Sequence, residues 1–103
     1  MNTVLSEVFA WALRCGAIRV AVAVLSPERE VPSRAGLTVS NRRGDFTGPF
    51  NTAVAAELLT LHVPERLWLW DEKGRLLVYV HETWDSVVVQ GTELEVDDLR
   101  SRL

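Results

Sequence analysis

The sequence has few of the residues on which metal sites and thiol chemistry depend. Its 103 residues include one cysteine and two histidines. Cys15 has no partner for an intrachain disulfide, and it belongs to no paired-cysteine pattern for zinc. His62 and His81 lack a second ligand at the four-residue spacing that brings two side chains together on a helix. We therefore expect neither a metal ion nor a cofactor.

Motifs for catalysis and phosphate binding are also missing. The sequence has no Gly-x-Ser-x-Gly turn for a nucleophile and no Gly-x-Gly-x-x-Gly turn for a dinucleotide. The stretch 44–49 contains two glycines, but Pro49 removes a backbone N–H group and Asp45 repels anions. Carboxylates crowd together over residues 93–98, which is typical of a solvated face with a helix cap. We therefore predict that the chain is not an enzyme.

Excess positive charge is absent too. The formal net charge is −3 and the sequence pI is about 5.3, whereas nucleic-acid-binding domains normally present a basic surface. We therefore predict no nucleic-acid partner. Arg14 and Arg19 interrupt the apolar stretch over residues 8–25, which makes it unsuited to span a membrane. Glu7 breaks the apolar start that a signal peptide would need, so the expected location is the cytoplasm.

Alternating and helical apolar patterns predict one domain that mixes helices and strands. Apolar residues make up 48% of the chain, which is enough for a single core at this length. The patterns predict a helix over 3–14, strands over 17–25 and 37–42, a helix over 50–63, strands over 66–70, 75–82 and 87–90, a candidate strand over 94–96 and a last helical turn capped by Asp97. Loops are predicted over 26–36 and 43–49, where proline and glycine interrupt the pattern.

The predicted fold class is α/β in the broad sense, an α+β fold in a single domain over residues 1–103, with the order α-β-β-α-β-β-β-α. The sheet is expected to have five mostly antiparallel strands. The strand over 17–25 is apolar on both sides, so we expect it to be central, with helices on both faces of the sheet. Gly16 is expected to end the first helix. Thr47 or Asn51 is expected to cap the helix over 50–63.

The predicted helix over residues 50–63 has two apolar stripes where a helix on a sheet needs only one. The first stripe contains Phe50, Val54, Leu58 and Leu61, and the second contains Ala55, Ala56, Leu59 and Val63. A second stripe requires a second covering surface, which a neighbouring subunit would provide. We therefore predict a homodimer with an interface formed by Val54, Ala55, Leu58, Leu59 and Val63.

Tryptophan is the most frequent aromatic residue, with four copies. Trp11 lies on the apolar side of the first helix and is expected in the core. Trp68 and Trp70 share one face of a predicted strand, and Trp84 lies in a predicted turn. Because tryptophan is enriched at the centres of protein interfaces, we assign Trp68, Trp70 and Trp84 to a partner-binding surface, with core filling as the alternative.

The order of elements resembles that of the Roadblock family of dynein light chains and their bacterial relatives. The stretch 66–91 carries most of the resemblance, with strands joined by turns at Asp71–Gly74 and Trp84–Asp85. The resemblance implies a homodimer with a continuous sheet, with the middle helices near the interface and with a small Ras-like GTPase as a partner. The long proline-containing loop over 26–36 and the short middle helix depart from the family. The predicted function is that of a protein-binding adaptor or regulator.

A second class of function stays open. Arg34, Arg42 and Arg43 form a basic group in and beside the predicted loops. Arginine binds phosphate and carboxylate groups through paired N–H donors, so this group would suit a small anion. On this alternative the chain is a small anion- or ligand-binding regulator, of the kind found in phage or defence systems.

Overall fold

Helices separate one single strand, one pair of strands and one run of three strands along the described chain. A computed structural model describes residues 3–24, 30–39, 45–60, 64–81 and 86–103. Within these ranges the elements are α1 (Thr3–Arg14), β1 (Ala17–Val24), α2 (Glu30–Arg34), β2 (Thr38–Val39), β3 (Phe46–Pro49), α3 (Thr52–Leu58), β4 (Pro64–Asp71), β5 (Leu76–His81), β6 (Ser86–Val89) and α4 (Glu93–Arg102). The strands form one antiparallel sheet in the order β2-β3-β1-β4-β5-β6. The predicted α+β class is confirmed, but the described sheet has six strands rather than five.

β1 is a central strand of the sheet, as its apolar pattern predicts. It pairs with β3 along one edge and with β4 along the other. Val20 is level with Leu69, which is level with Val78, and all three side chains are fully buried. The neighbouring row through Val22 is buried to the same extent. These rows form the floor of the hydrophobic core.

β3 occupies residues that the sequence pattern assigns to a loop. Gly48 and Pro49 suggest a break, yet both belong to the strand. A Cβ at position 48 would lie 2.6 Å from Leu37 Cδ2, so glycine lets the segment before β2 pack closely on β3. Pro49 is tolerated as the last residue of the strand. Phe50 then resumes the backbone bonding by donating to the Ile18 carbonyl oxygen at 2.8 Å.

α2 is a second element inside a predicted loop, the one over residues 26–36. Its proline, Pro32, is buried and stands in the first turn of the helix. Proline costs no hydrogen bond there, because the first N–H groups of a helix have no partner within it. The helix gives way to Gly36, whose φ of +86° suits glycine. α2 packs against α3 and closes that side of the core.

The helices cover one face of the sheet in the described part of the chain. Their buried side chains belong to the same cluster as the buried strand rows. They are Leu5, Val8, Phe9, Trp11 and Ala12 of α1, Val54, Ala55 and Leu58 of α3, and Leu99 of α4. The prediction of helices on both faces is wrong, because the second side of β1 carries Arg19 and two small alanines instead of a continuous apolar surface. We call the two sides the helix-covered face and the open face.

α3 is about half as long as the predicted helix over residues 50–63. Asn51, one of the two predicted caps, begins it by accepting a 3.0 Å hydrogen bond from the Val54 N–H group. The last helical residue is Leu58, and the residues 61–63 lie outside the described part of the chain. The shorter helix leaves less surface for a second apolar stripe.

α4 takes the place of the predicted strand over 94–96 and the predicted cap at Asp97, which are both wrong. The Thr92 hydroxyl accepts a hydrogen bond from the Glu95 N–H group at 3.2 Å, and the Glu95 carboxylate accepts one from the Thr92 N–H group at 2.7 Å. This reciprocal arrangement is a capping box, and its Thr-x-x-Glu spacing is present in the sequence. Across the described residues, no helix combines the length and apolarity needed to cross a membrane.

Candidate binding face

The open face consists of the strand residues that alternate with the buried ones. The register aligns Thr38, Thr47, Ala21, Trp68, Tyr79 and Val88 in one row across all six strands. Those on the four central strands are half-buried, and those on the two edge strands are exposed. Every described helix buries its side chains on the other side of the sheet. The open face is therefore a broad surface that the described chain leaves accessible.

Three aromatic rings lie next to one another at the centre of the open face. The Trp68 and Tyr79 rings are level in the register, with their centroids 5.6 Å apart and their planes tilted by 31°. The Tyr79 ring is in turn 5.8 Å from the His81 ring. Directly opposed side chains on antiparallel strands meet in this way. The rings contact one another at their sides, and the part of each ring that is not buried forms the surface of the open face.

Two arginines flank this aromatic group at opposite ends. The Arg19 guanidinium carbon lies 5.5 Å from the centroid of the Trp70 ring, which is a cation–π contact. Arg66 is level with Ala23 on one side and His81 on the other. Its Nε is buried and has no hydrogen-bond partner. Both guanidinium groups therefore keep N–H donors that no described residue uses.

The five described arginines outside the open face differ from these two because each has a carboxylate partner. The ion pairs are Arg14–Asp98, Arg34–Glu57, Arg75–Asp71, Arg75–Glu95, Arg100–Asp97 and Arg102–Asp98. Neither Arg19 nor Arg66 takes part in an ion pair with any described residue. The described open-face positions of the strands carry no carboxylate. The open face is thus cationic in a chain with a net charge of −3.

A second group of charged residues lies where α4 meets the turn between β4 and β5. Arg75 donates from Nε to Asp71 at 2.9 Å and from its two terminal nitrogens to Glu95 at 2.9 and 3.2 Å. The bonds from Arg75 and the Thr92 N–H group hold the Glu95 pKa at about 2. Backbone and side-chain bonds from Arg75 lower the pKa of Asp71 as well. Asp71, Arg75 and Glu95 are each engaged with one another or with backbone N–H groups, so we assign these three residues a structural role.

Cys15 lines the same depression as Arg75 and Glu95, but it is not suited to act as a nucleophile. Burial and the neighbouring Glu95 carboxylate raise the pKa of its thiol to about 11. A thiol rather than a thiolate is then present near neutral pH, and the thiolate is the reactive form. Among the described residues, no group of three or more histidine, cysteine or acidic side chains is arranged to hold a metal ion.

The residues predicted to form a dimer interface on α3 serve the chain's own core instead. Val54, Ala55 and Leu58 are buried there, and Leu59 is partly buried against the same cluster. Only Ala56 of the described second stripe is exposed, and Val63 lies outside the described residues. The burial removes the physical argument for pairing through α3, because the shorter helix has one apolar side and packs it inwards. Whether two copies associate stays a prediction.

The other predicted site residues separate into two groups. Trp68 and Trp70 both lie on the open face, as their spacing indicates, and both are half-buried. Trp84, Arg42 and Arg43 fall outside the described residues, so the structure does not place them. The Arg34 guanidinium group lies 3.8 Å from the Glu57 carboxylate. Arg34 therefore already has an anionic partner within the chain, which weakens its assignment to an anion-binding site.

Arg19, Arg66, Tyr79 and His81 belong to the candidate site, although sequence reasoning did not select them. The signal was present in the two-residue period of the strands. In β4, arginine and two tryptophans alternate with leucines, and in β1 arginine and two alanines alternate with valines. Charged and aromatic residues on the same side of neighbouring strands indicate a face in contact with water.

Comparisons with known proteins found no matching family model, curated protein or solved structure. The Roadblock resemblance therefore stays a prediction. The candidate site rests on the geometry and charge of the open face.

Proposed function

We propose that this domain is a non-enzymatic protein-binding module that holds a segment of another protein against the open face of its sheet. One observation carries the proposal: half-buried aromatic rings lie between two arginines that have no ion-pair partner among the described residues, on a face that no described helix covers. Trp68 and Tyr79 provide the apolar centre, and Arg19 and Arg66 provide the charged ends. Tryptophan, tyrosine and arginine are the residues that contribute most to binding at protein interfaces.

The architecture of the open face supports binding in two further ways. Its side chains stand on paired strands rather than on loops, so little conformational entropy is lost when a partner fixes them. The aromatic rings contact each other and are therefore held in place before binding. A rigid apolar centre with a polar rim is the usual arrangement of a specific interface.

Selection from a random peptide library displayed on phage tests the proposal without knowledge of the natural partner. Peptides selected on the immobilised protein should lose binding to the Ala21→Arg variant, in which a long charged side chain stands beside Trp68 at the centre of the open face. They should keep binding to Ala56→Arg, a matched change on the exposed side of α3. Circular dichroism verifies that both variants are folded.

Two results would overturn the proposal. One is a library that yields no enriched peptide against the folded protein. The other is a set of peptides that binds the Ala21→Arg variant as well as the original chain. Peptides that lose binding only to Ala56→Arg would move the site to α3.

A further inference from the structure

We infer that the segment held by the open face is acidic and extended, with two carboxylates four residues apart and an apolar side chain midway between them. This inference rests on the function proposed above and specifies the chemistry of the partner. It follows from the positions of Arg19 and Arg66, from the lack of an ion-pair partner for either among the described residues and from the aromatic group between them.

The spacing of the two arginines sets the spacing of the carboxylates. Arg66 and Trp70 lie on the same face of β4, four residues apart, and Arg19 is level with Trp70 on β1. Four residues of a strand span roughly 13 Å. The Cα atoms of the two arginines therefore stand about 13 Å apart along the strand direction, and Trp68 lies midway between them along β4.

An extended segment that runs along the strands matches this pattern. Its first, third and fifth side chains point to the same side, and the first and fifth are also roughly 13 Å apart. Acidic side chains at those two positions would reach Arg19 and Arg66. The third side chain would then contact Trp68 and Tyr79. The pattern is Asp or Glu, any residue, an apolar residue, any residue, and Asp or Glu.

The unused N–H donors of the arginines indicate that the ligand is anionic. Neither Arg19 nor Arg66 has a carboxylate partner among the described residues, and a carboxylate fits the planar guanidinium group through two parallel hydrogen bonds. On the helix side of the molecule this pairing occurs within the chain, where Arg75 donates from both terminal nitrogens to the Glu95 carboxylate. The described positions of the open face offer no such carboxylate, so we assign it to the partner.

A second copy of this chain is a poor occupant of the open face. A twofold face-to-face pair would bring the Arg19 and Arg66 groups of both copies to one interface, and its strand positions offer no carboxylate to compensate them. Like charges set against each other across an interface are unfavourable. An acidic segment of a different protein avoids this repulsion.

A single-stranded nucleic acid is the other anionic ligand that aromatic faces bind, by stacking bases on the rings. Its affinity grows with the number of phosphates that the protein neutralises. The open face offers two arginines, and the chain as a whole carries a net charge of −3, which repels a polyanion. The observations therefore favour a peptide with two carboxylates.

Fluorescence anisotropy with labelled synthetic peptides tests the inference directly. The probe contains Glu-Thr-Leu-Thr-Glu between neutral glycine–serine flanks. A first control replaces both glutamates by glutamine, and a second moves one glutamate so that the two stand three residues apart. We expect the probe to bind about tenfold or more tightly than either control, since a hydrogen-bonded ion pair contributes about one factor of ten or more.

Charge-reversed variants assign the effect to the two arginines. Arg66→Glu should lower the affinity for the probe by about tenfold or more. The same variant should bind more tightly to a peptide with lysine in place of the nearer glutamate. Arg19→Glu should do the same at the other end. Arg100→Glu is the matched control on exposed α4 and should leave the probe unaffected. Rescue by the lysine peptide excludes simple misfolding as the cause.

Three outcomes would overturn the inference, and they separate it from the proposed function. If the glutamine peptide binds as tightly as the probe and both lose binding to Ala21→Arg, the face binds protein but has no preference for acid. If no peptide binds and the phage library is also empty, the proposed function fails as well. If an oligothymidylate binds more tightly than the probe and depends on Arg19 and Arg66, the ligand is a nucleic acid.

Discussion

The two faces of the sheet come from the same strands but differ in nearly every physical property. On β4, Leu67 and Leu69 are fully buried beneath the helices, whereas Trp68 and Trp70 are half-buried on the open face. The buried rows of the helix-covered face are apolar apart from Asp71 at the end of β4, and the open face combines aromatic rings with arginine. Because side chains along a strand point alternately to the two faces, the residues that form the core are separated from those available for binding.

The charges of the two sides follow the same division. On the helix side, arginines and carboxylates pair with each other and fasten α4 to the rest of the domain, as Arg14 does with Asp98. On the open face, Arg19 and Arg66 have aromatic neighbours and no described carboxylate partner. Exposed ion pairs contribute little each to stability, but they show which charges the fold uses for itself.

The largest expected effect is the loss of stability when Trp11 is replaced by alanine. Trp11 is completely buried, and its Nε1 donates to the Glu95 carbonyl oxygen at 2.6 Å. We expect Trp11→Ala to lower the free energy of unfolding by about 3–5 kcal/mol, and Trp68→Ala to lower it by less than half as much. Urea denaturation measures both. Equal losses would contradict the division between the two faces.

The next largest effect concerns α3 and the predicted dimer. Leu58 is completely buried, so Leu58→Glu places a charge in the core and should unfold the chain. Ala56→Glu, on the exposed side of the same helix, should leave it folded. Circular dichroism and light scattering after gel filtration follow folding and association. If Leu58→Glu instead turned a dimer into a folded monomer, pairing through α3 would be restored.

Acid should weaken the fold through the carboxylates of the helix side. The Glu95 pKa lies at about 2, below its ordinary value of 4.5, because Arg75 and the Thr92 N–H group stabilise the charged form. The contribution of ionised Glu95 to the stability of the fold is therefore fully present above the ordinary pKa of 4.5, and it is lost as the pH falls towards 2. The pKa values of Asp71 and Asp98 are lowered in the same direction.

Thermal unfolding midpoints recorded from neutral pH into the acid range test this dependence. Glu95→Gln should lower the unfolding midpoint near neutral pH. On acidification, the midpoint of this variant should fall by less than that of the original chain. A midpoint that stays constant through the acid range in the original chain would contradict the structural role given to Arg75 and Glu95.

The smallest expected effect is on the stability of the open face itself. Arg19→Gln and Arg66→Gln should each change the free energy of unfolding by no more than about 0.5 kcal/mol, because neither breaks an ion pair. Arg75→Gln should lower the midpoint further than either, since it removes the bonds to Asp71 and Glu95. A strong destabilisation by Arg66→Gln would mean that this arginine is part of the fold rather than of the binding face.

The regular elements were predictable because their patterns are local. The helix over 3–14, the central strand at 17–24 and the turn closed by Gly74, with its φ of +80°, agree with the sequence. Their signals are apolar periodicity and glycine at a left-handed position, which need no knowledge of distant residues.

The failures have a tertiary cause or an overlooked capping signal. β3 contains Gly48 and Pro49, which favour a loop locally, and forms because β1 and Leu37 pack against it. The sequence pattern predicts two apolar stripes on this helix because it does not indicate that α3 ends at Leu58. The sequence predicts that Trp68 and Trp70 share a face but not which residues lie beside them, because the register that brings Arg19 beside Trp70 and Trp68 beside Tyr79 is set by pairing between strands distant in sequence.

The most direct test of the account uses the indole N–H signals of the tryptophans in a nitrogen-15 NMR titration with a peptide selected by the protein. We expect the Trp68 and Trp70 signals to shift as the peptide fills the open face, while the signal of Trp11, buried under the helices, keeps its position. A peptide that binds and shifts Trp11 but leaves Trp68 and Trp70 unchanged would contradict it.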